Sequence, residues 1–182
     1  MRVVAGSLRG RPIFAPEGST TRPTTDRTRE AMFNALASLN VIEGARVADL
    51  FAGSGALGIE ALSRGAQHCT FVERDRAAIA MIRRNVTALG IDDRATISSG
   101  DVLARIKQLG PVDVALVDPP YEFDQWPELL SALSGIMGEN GVVVAESGEP
   151  LGAQLGWEIL REKRYGRTWV TFFGQLVQRI TV

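Results

Sequence analysis

The chain has few of the residues that form metal centres and covalent cross-links. Its 182 residues include one cysteine, Cys69, and one histidine, His68. A single cysteine excludes an internal disulfide, and we expect Cys69 to lie in a buried strand rather than to act as a nucleophile. One cysteine and one histidine are too few for the usual zinc ligand sets. We therefore expect no metal site.

Long apolar runs are also missing. No stretch approaches the eighteen or so apolar residues that a membrane span needs, and residues 1–6 lack the apolar core of a signal peptide. A hydrophobic content of 45% and a charged content of 23% are ordinary for a globular protein. The composition predicts a cytoplasmic protein, and without an obvious interaction segment we expect a monomer.

The small net charge conceals a strong segregation of charge along the chain. Residues 1–29 and residues 161–182 each carry +4, whereas residues 30–160 carry −9. Charge runs are usually solvated faces, but opposite signs confined to separate segments favour a polyanion that contacts the two ends. In the first segment Arg2, Arg9, Arg11 and Arg22 are the candidates, either bound to phosphates or simply solvated.

The first forty residues predict a small appendage followed by a helix. Two short alternating runs, 2–5 and 11–15, indicate a β-hairpin. Residues 16–23 form a turn-rich linker, after which Thr24 and Thr25 cap a helix that ends near Leu39. We therefore divide the chain into a basic hairpin with its linker, 1–23, and a main domain, 24–182.

From residue 46 onward, strand-like and helix-like segments alternate. This pattern is typical of a doubly wound, mostly parallel α/β sheet. Gly65, Gly90 and Gly138 stand where helix C-caps are expected. The predicted strands are 46–51, 69–73, 94–98, 112–117 and 142–147, and the predicted helices are 56–64, 75–89, 101–108 and 125–137. At the end, 157–164 and 168–173 predict an antiparallel hairpin at the sheet edge, with a further strand at 176–182.

A glycine-rich turn between the first strand and its helix predicts a nucleoside site. Gly53, Gly55 and Gly58 fit G-x-G-x-x-G, in which glycine permits a tight turn and a close approach of the backbone to a ligand. Glu73 follows Gly53 by twenty residues, a spacing that suits an acid bound to ribose hydroxyls. Both NAD and S-adenosylmethionine would satisfy these features.

Two further acids favour S-adenosylmethionine. Asp49 ends the first strand, where a carboxylate could orient the ammonium of the methionine moiety. Asp101 ends the third strand and could accept a hydrogen bond from the adenine amino group, cap the following helix, or do both. With Glu73 and Asp118, these side chains place four acids at strand carboxyl ends, where such sheets bind ligands.

The segment Asp118-Pro119-Pro120-Tyr121 follows the strand 112–117 and suits the binding of an exocyclic amino group on a base. An ionised Asp118 only accepts hydrogen bonds, and the Pro119 carbonyl could be the second acceptor. Pro120 has no N–H and a fixed φ, which stiffens the loop. Tyr121 offers a ring on which a base could stack, typically worth about 1–3 kcal/mol.

These motifs together resemble the bacterial RsmD-type methyltransferases over nearly the whole chain. The resemblance is carried by residues 2–6, 9–11 and 22–34, then by 49–55, 58–61, 71–73, 118–121 and 163–168. It implies a seven-stranded, Rossmann-like class I methyltransferase fold and methylation of N2 of guanine 966 in 16S rRNA. It also implies an rRNA substrate held partly by the basic N-terminal hairpin.

The resemblance further assigns roles to individual residues. Catalysis is implied at 118–121, and Thr24 and Arg29 are expected beside the cofactor. S-adenosylmethionine is expected to be bound by Asp49, Phe51, Ala52, Gly53, Ser54, Gly55, Gly58, Glu73, Arg74, Asp101 and Val102.

Three other functions remain open from the residues alone. A DNA adenine-N6 or cytosine-N4 methyltransferase shares the chemistry of 118–121, although the chain has no long insertion to recognise a DNA sequence. An NAD-linked oxidoreductase would leave that segment unexplained. A non-catalytic RNA-binding assembly factor would not need the four acids.

Overall fold

The computed structural model describes residues 1–15 and 26–176. Helices and strands alternate through most of the chain, and the strands form one seven-stranded sheet in the order β3-β2-β1-β4-β5-β7-β6. The elements are α1 Asp26–Ser38, β1 Arg46–Leu50, α2 Ala56–Ser63, β2 His68–Glu73, α3 Arg76–Leu89, β3 Ala95–Ser99, α4 Val102–Ile106, β4 Val112–Val117, α5 Trp126–Ser134, β5 Met137–Ser147, β6 Trp157–Tyr165 and β7 Thr168–Gln175.

The predicted doubly wound sheet with its antiparallel C-terminal hairpin is confirmed. β1 to β5 pair in parallel, whereas β7 pairs antiparallel with both β5 and β6. Alternate strand residues serve the two faces: Val114 and Leu116 pack with α1, α2 and α3, whereas Ala115 and Val117 pack with α4 and α5. Because both faces are covered at the centre of the sheet, β1 and β4 read as nearly continuous apolar runs. No helix in the described ranges is long and apolar enough to cross a membrane.

The predicted end of α5 and the predicted cap at Gly138 are wrong. The helix ends at Ser134 with Gly135 as its C-cap, and Gly138 already belongs to β5. β5 begins at Met137, five residues before the predicted strand 142–147, because Met137 pairs with Val112 of β4. The register between the two strands shifts after this pair. The cap at Gly90 is confirmed, and Gly65 follows the C-cap of α2 with a φ of 103°.

The N-terminal hairpin is confirmed as a turn with one antiparallel bridge, Arg2 to Pro12. It packs closely on the sheet domain: Val3 and Ile13 are buried in the same apolar cluster as α1. The predicted boundary at residue 23, the Thr24/Thr25 cap and nearly all of the strand predicted at 176–182 lie outside the described residues, so the division into two segments stays a prediction.

Candidate active site

Among the described residues, six acids line one cavity of about 1040 Å³ along the carboxyl edge of the parallel strands, and four of them are the acids predicted from the sequence. The predicted four are Asp49 and Glu73, at the carboxyl ends of β1 and β2, and Asp101 and Asp118, just after β3 and β4. The cavity brings together most of the residues named from the sequence: Asp49, Phe51, Ala52, Gly53, Ser54, Glu73, Arg74, Asp101, Val102, Asp118, Pro119, Pro120 and Tyr121.

Asp49 is a buried carboxyl group at the back of this cavity. Its side chain accepts a hydrogen bond of 2.8 Å from the N–H of Gly58, in the first turn of α2. Burial raises the pKa of Asp49 well above its usual range, and the negative charges of Asp118 and Glu73 raise this pKa further. No Lys or Arg in the described part of the chain forms an ion pair with Asp49. A bound cation would therefore relieve an unfavourable charge.

The Glu73 carboxylate fixes the glycine-rich turn. One oxygen accepts from the N–H of Gly53 at 2.9 Å, and the other accepts from the N–H groups of Arg74 and Asp75 at 2.7 and 2.9 Å. An ionised carboxylate has about four acceptor positions, so capacity remains for a ligand hydroxyl. Glu73 can thus hold the loop and a ribose together.

Asp101 is the N-cap of α4, as one of its two predicted roles requires. Its side chain accepts from the N–H of Ala104 at 3.2 Å while the residue also lines the cavity. The cap uses one carboxylate oxygen, which leaves the other for a ligand. The predicted contact with adenine stays a prediction.

An aromatic row lines the cavity between β1 and the Asp118–Tyr121 segment. Phe51 takes a left-handed φ of 61°, a conformation that is costly for a residue with a side chain and that concentrates at functional sites. Its ring meets Phe123 edge-on at 5.1 Å, and Phe123 meets Trp126 at 5.2 Å. Sequence reasoning missed Phe123 and Trp126, although their closeness to the Asp-Pro-Pro-Tyr segment was a usable signal. The row provides an apolar wall for a planar ring.

The Asp118–Tyr121 segment forms a tight turn over the end of the sheet. The Asp118 N–H donates to the Leu50 carbonyl at 3.4 Å, and the Pro120 carbonyl accepts from the Phe123 N–H at 3.0 Å. Tyr121 lies against Gly148 and leaves 62% of its surface exposed. An exposed ring at the mouth of the cavity is available for a base to stack on.

Gly55 and Gly58 do not line the cavity, unlike Gly53. Gly55 is the N-cap of α2 with a φ of 80°. Gly58 lets α2 approach β2: a Cβ there would overlap the Phe71 ring and lie 2.6 Å from the Cys69 Sγ. Both glycines have a structural role, and Gly58 also supplies the N–H that Asp49 accepts, while their direct contact with a cofactor stays a prediction.

Arg29 does not line the cavity, and its side chain is fully buried beneath the N-terminal hairpin. It forms an ion pair with Asp26 at 2.8 Å and lies 3.6 Å from Glu60. The guanidinium thus holds α1 to α2 through Glu60, and the predicted cofactor contact of Arg29 stays a prediction. Thr24, the other contact expected in this segment, lies outside the described residues.

Buried Glu60 organises this corner, which sequence reasoning also missed. Its carboxylate accepts from the N–H groups of Val4 and Ala5 at 2.8 and 3.0 Å and pairs with Arg64 at 2.8 Å. A charged residue on an apolar helix gives no sequence signal of burial here, because apart from Arg64 its partners come from distant segments.

The arginines predicted to contact RNA are exposed on the hairpin where the structure describes them. Arg2 donates to the Gly10 carbonyl at 2.8 Å and Arg11 to the Ala88 carbonyl at 3.0 Å. Arg9 is exposed and its side chain forms no hydrogen bond or ion pair with the described residues. Arg22 lies outside the described part of the chain. RNA binding by this set stays a prediction.

Replacing Gly58 by alanine is expected to lower the free energy of unfolding by about 1–3 kcal/mol, because the new methyl group overpacks the contact between α2 and β2. For a chain of this size that corresponds to a Tm lower by about 2–10 °C. The matched control is Gly138→Ala in β5, where a Cβ meets nothing within 4 Å. Equal Tm values for both variants in thermal unfolding would refute the packing role.

Comparison with known proteins gives a consistent set of similarities. The model of a family described as "Conserved hypothetical protein 95" matches residues 1–174. Proteins named ribosomal RNA small subunit methyltransferase D are 35% identical, covering 92% of this chain and 86% of the protein from Escherichia coli K12, and 91% and 89% for that from Haemophilus influenzae. A solved structure described as "Putative methyltransferase yhhF from Escherichia coli" superimposes with a TM-score of 0.84 at 33% identity, over 98% of this chain and 99% of that one.

Proposed function

Because the chain belongs to the RsmD-type family of ribosomal RNA methyltransferases and has their class I fold, we propose that it methylates the exocyclic N2 of a guanine in 16S rRNA, at position 966, during small-subunit assembly. The methyl donor in this proposal is S-adenosylmethionine. The observation that carries it is the placement of Asp118–Tyr121 at the same cavity as Asp49 and Glu73.

The residues of the cavity fit the proposed methyl donor. Asp49 offers a buried negative charge for an ammonium, Glu73 retains an acceptor for a ribose hydroxyl, and Phe51 and Phe123 provide an apolar wall. When bound, S-adenosylmethionine supplies an electrophilic methyl group on a sulfonium. The protein's own contribution is to bring an amino group to it in line.

Asp118 and the Pro119 carbonyl would orient the target amino group. The lone pair of the guanine N2 amino group is delocalised into the ring. Two acceptors that bind the N–H bonds of this amino group would localise the lone pair and direct it toward the methyl donor. The target base must first leave its stack in the RNA, which costs a few kcal/mol. The Tyr121 ring would then stack on the displaced base. The amino group becomes acidic on alkylation and loses a proton to solvent, so no strong general base is needed. Proximity and orientation then supply much of the rate enhancement.

Radiolabelled methyl transfer tests the proposal. The protein is incubated with labelled S-adenosylmethionine and 30S subunits, naked 16S rRNA or duplex DNA, and the products are digested to nucleosides. We expect N2-methylguanosine in rRNA and no label in DNA. Methyladenine or methylcytosine in DNA would refute the proposal in favour of a DNA methyltransferase. Binding of cofactor and RNA without transfer to any substrate would instead support a non-catalytic assembly factor.

The proposal also specifies the setting of the reaction. We propose a cytoplasmic monomer that acts on 16S rRNA within an assembling subunit and is held there partly by Arg2, Arg9, Arg11 and Arg22. Sedimentation of the protein alone and with 30S subunits measures both the oligomeric state and the preferred form of the substrate.

A further inference from the structure

The two basic ends of the chain meet at one groove. Arg27, in the first turn of α1, lies opposite Arg161 and Lys163 of β6, across a depression of about 370 Å³. Asn34 and Tyr165 also line it. More than 130 residues separate Arg27 from Arg161 in sequence, so the fold and not the local sequence brings them together.

The groove is positively charged and its charges are available. Among the described residues that line it there is no Asp or Glu, and none of its three cations forms an ion pair within the described ranges. Arg27, Arg161 and Lys163 are all exposed. The intervening Glu162 accepts a hydrogen bond from the Thr171 hydroxyl at 2.9 Å and does not line the groove. The arrangement therefore suits a polyanion.

The groove opens into the candidate active site. Arg27, Lys163 and Tyr165 line both the groove and the large cavity. The Lys163 Nζ lies 5.4 Å from the centre of the Tyr165 ring, so a cation and an aromatic face stand together at the junction. A nucleic-acid strand that leaves the cavity on this side would pass between these residues.

We propose that this groove holds the phosphodiester backbone of the RNA segment adjoining the target nucleotide, with Arg27, Arg161 and Lys163 on its phosphates and Tyr165 beside a flanking base. The inference rests on the proposed function. An enzyme that takes a base out of its stack must also hold the displaced backbone, and phosphate contacts fix its register. Single-stranded segments are held by basic grooves that carry aromatic side chains.

The double variant Arg161→Gln/Lys163→Gln tests the groove. Each phosphate contact to a single strand contributes about 0.7 to the slope of log K against log salt concentration, so the slope for binding of 16S rRNA should become shallower by about 1.4. We expect KM for rRNA to rise on the order of tenfold, with kcat at saturating rRNA and the Kd for S-adenosylmethionine unchanged.

Two single variants serve as comparisons. Lys107→Gln removes an exposed charge just after α4, which packs on the opposite face of the sheet, and should leave slope and KM unchanged. Arg9→Gln removes an exposed charge of the hairpin. If the groove variant binds and methylates rRNA like the wild type, with an unchanged salt slope, the inference is overturned. Absence of transfer by the wild-type protein would instead refute the proposed function, since the salt slope of binding is measured independently of transfer.

Discussion

Replacing Asp118 by alanine is expected to lower kcat for methyl transfer by about 10²–10³-fold while S-adenosylmethionine still binds. In the proposed complex, the carboxylate is one of two acceptors that localise the lone pair of the attacking amino group. The alanine variant lacks this acceptor, so the expected loss is in the transfer step and not in cofactor binding. Single-turnover transfer to 16S rRNA, combined with calorimetric binding of S-adenosylmethionine, separates the two steps.

The structure gives this prediction an internal control. The negative charge of Asp118 contributes to the raised pKa of Asp49, so its removal makes Asp49 easier to ionise. Cofactor affinity should therefore stay the same or improve slightly. Asp118→Asn, which retains one acceptor oxygen, should keep more activity than the alanine variant. Normal turnover by Asp118→Ala would remove the catalytic assignment, and a parallel loss of cofactor binding would make Asp118 a cofactor residue instead.

The central strands could be predicted because they are buried on both faces and read as apolar runs, as β1 and β4 do. The exception is β5, whose first residues, Met137 to Gly141, include two glycines and exposed polar side chains. Only the pairing of Met137 with Val112 of β4 makes this stretch a strand. Tertiary pairing outweighed the local signal, and Gly138 was misread as a helix cap.

The acids of the cavity were predictable for a topological reason. Parallel strands end at the same edge of a sheet, so any acid that directly follows a strand is carried to that edge. Arg29 and Glu60 could not be placed in this way, since both lie in helices and the contacts that bury them include distant segments. The same holds for the basic groove, where Arg27 joins residues of β6.

Replacing Asp49 by asparagine is expected to make the ligand-free protein more stable at neutral pH and to weaken S-adenosylmethionine binding on the order of 100-fold, which corresponds to about 2.7 kcal/mol. Folding raises the pKa of Asp49 because the carboxyl group is buried. Below about pH 4 the Asp49 carboxyl group is protonated in both the folded and the unfolded state, so it does not lower the free energy of unfolding. As pH rises, the group ionises more readily in the unfolded chain, and the free energy of unfolding falls until pH passes the folded-state pKa. Asparagine avoids this cost and can still accept the Gly58 N–H.

The pH dependence of both quantities identifies the cause. The Tm advantage of Asp49→Asn should grow as pH rises above about 4, until pH passes the folded-state pKa of Asp49. Wild-type affinity for S-adenosylmethionine should rise over the range in which Asp49 ionises, with proton release seen by calorimetry in buffers of different ionisation enthalpy. The affinity of the variant should be flat. Asp113→Asn is the contrasting control: hydrogen bonding to Arg46 lowers the pKa of this exposed carboxyl group, so its small stabilising effect is present above the unfolded pKa and is lost as pH falls. If Asp49→Asn is more stable yet binds S-adenosylmethionine as tightly as the wild type, Asp49 is a strained structural acid and the ammonium is held elsewhere in the cavity.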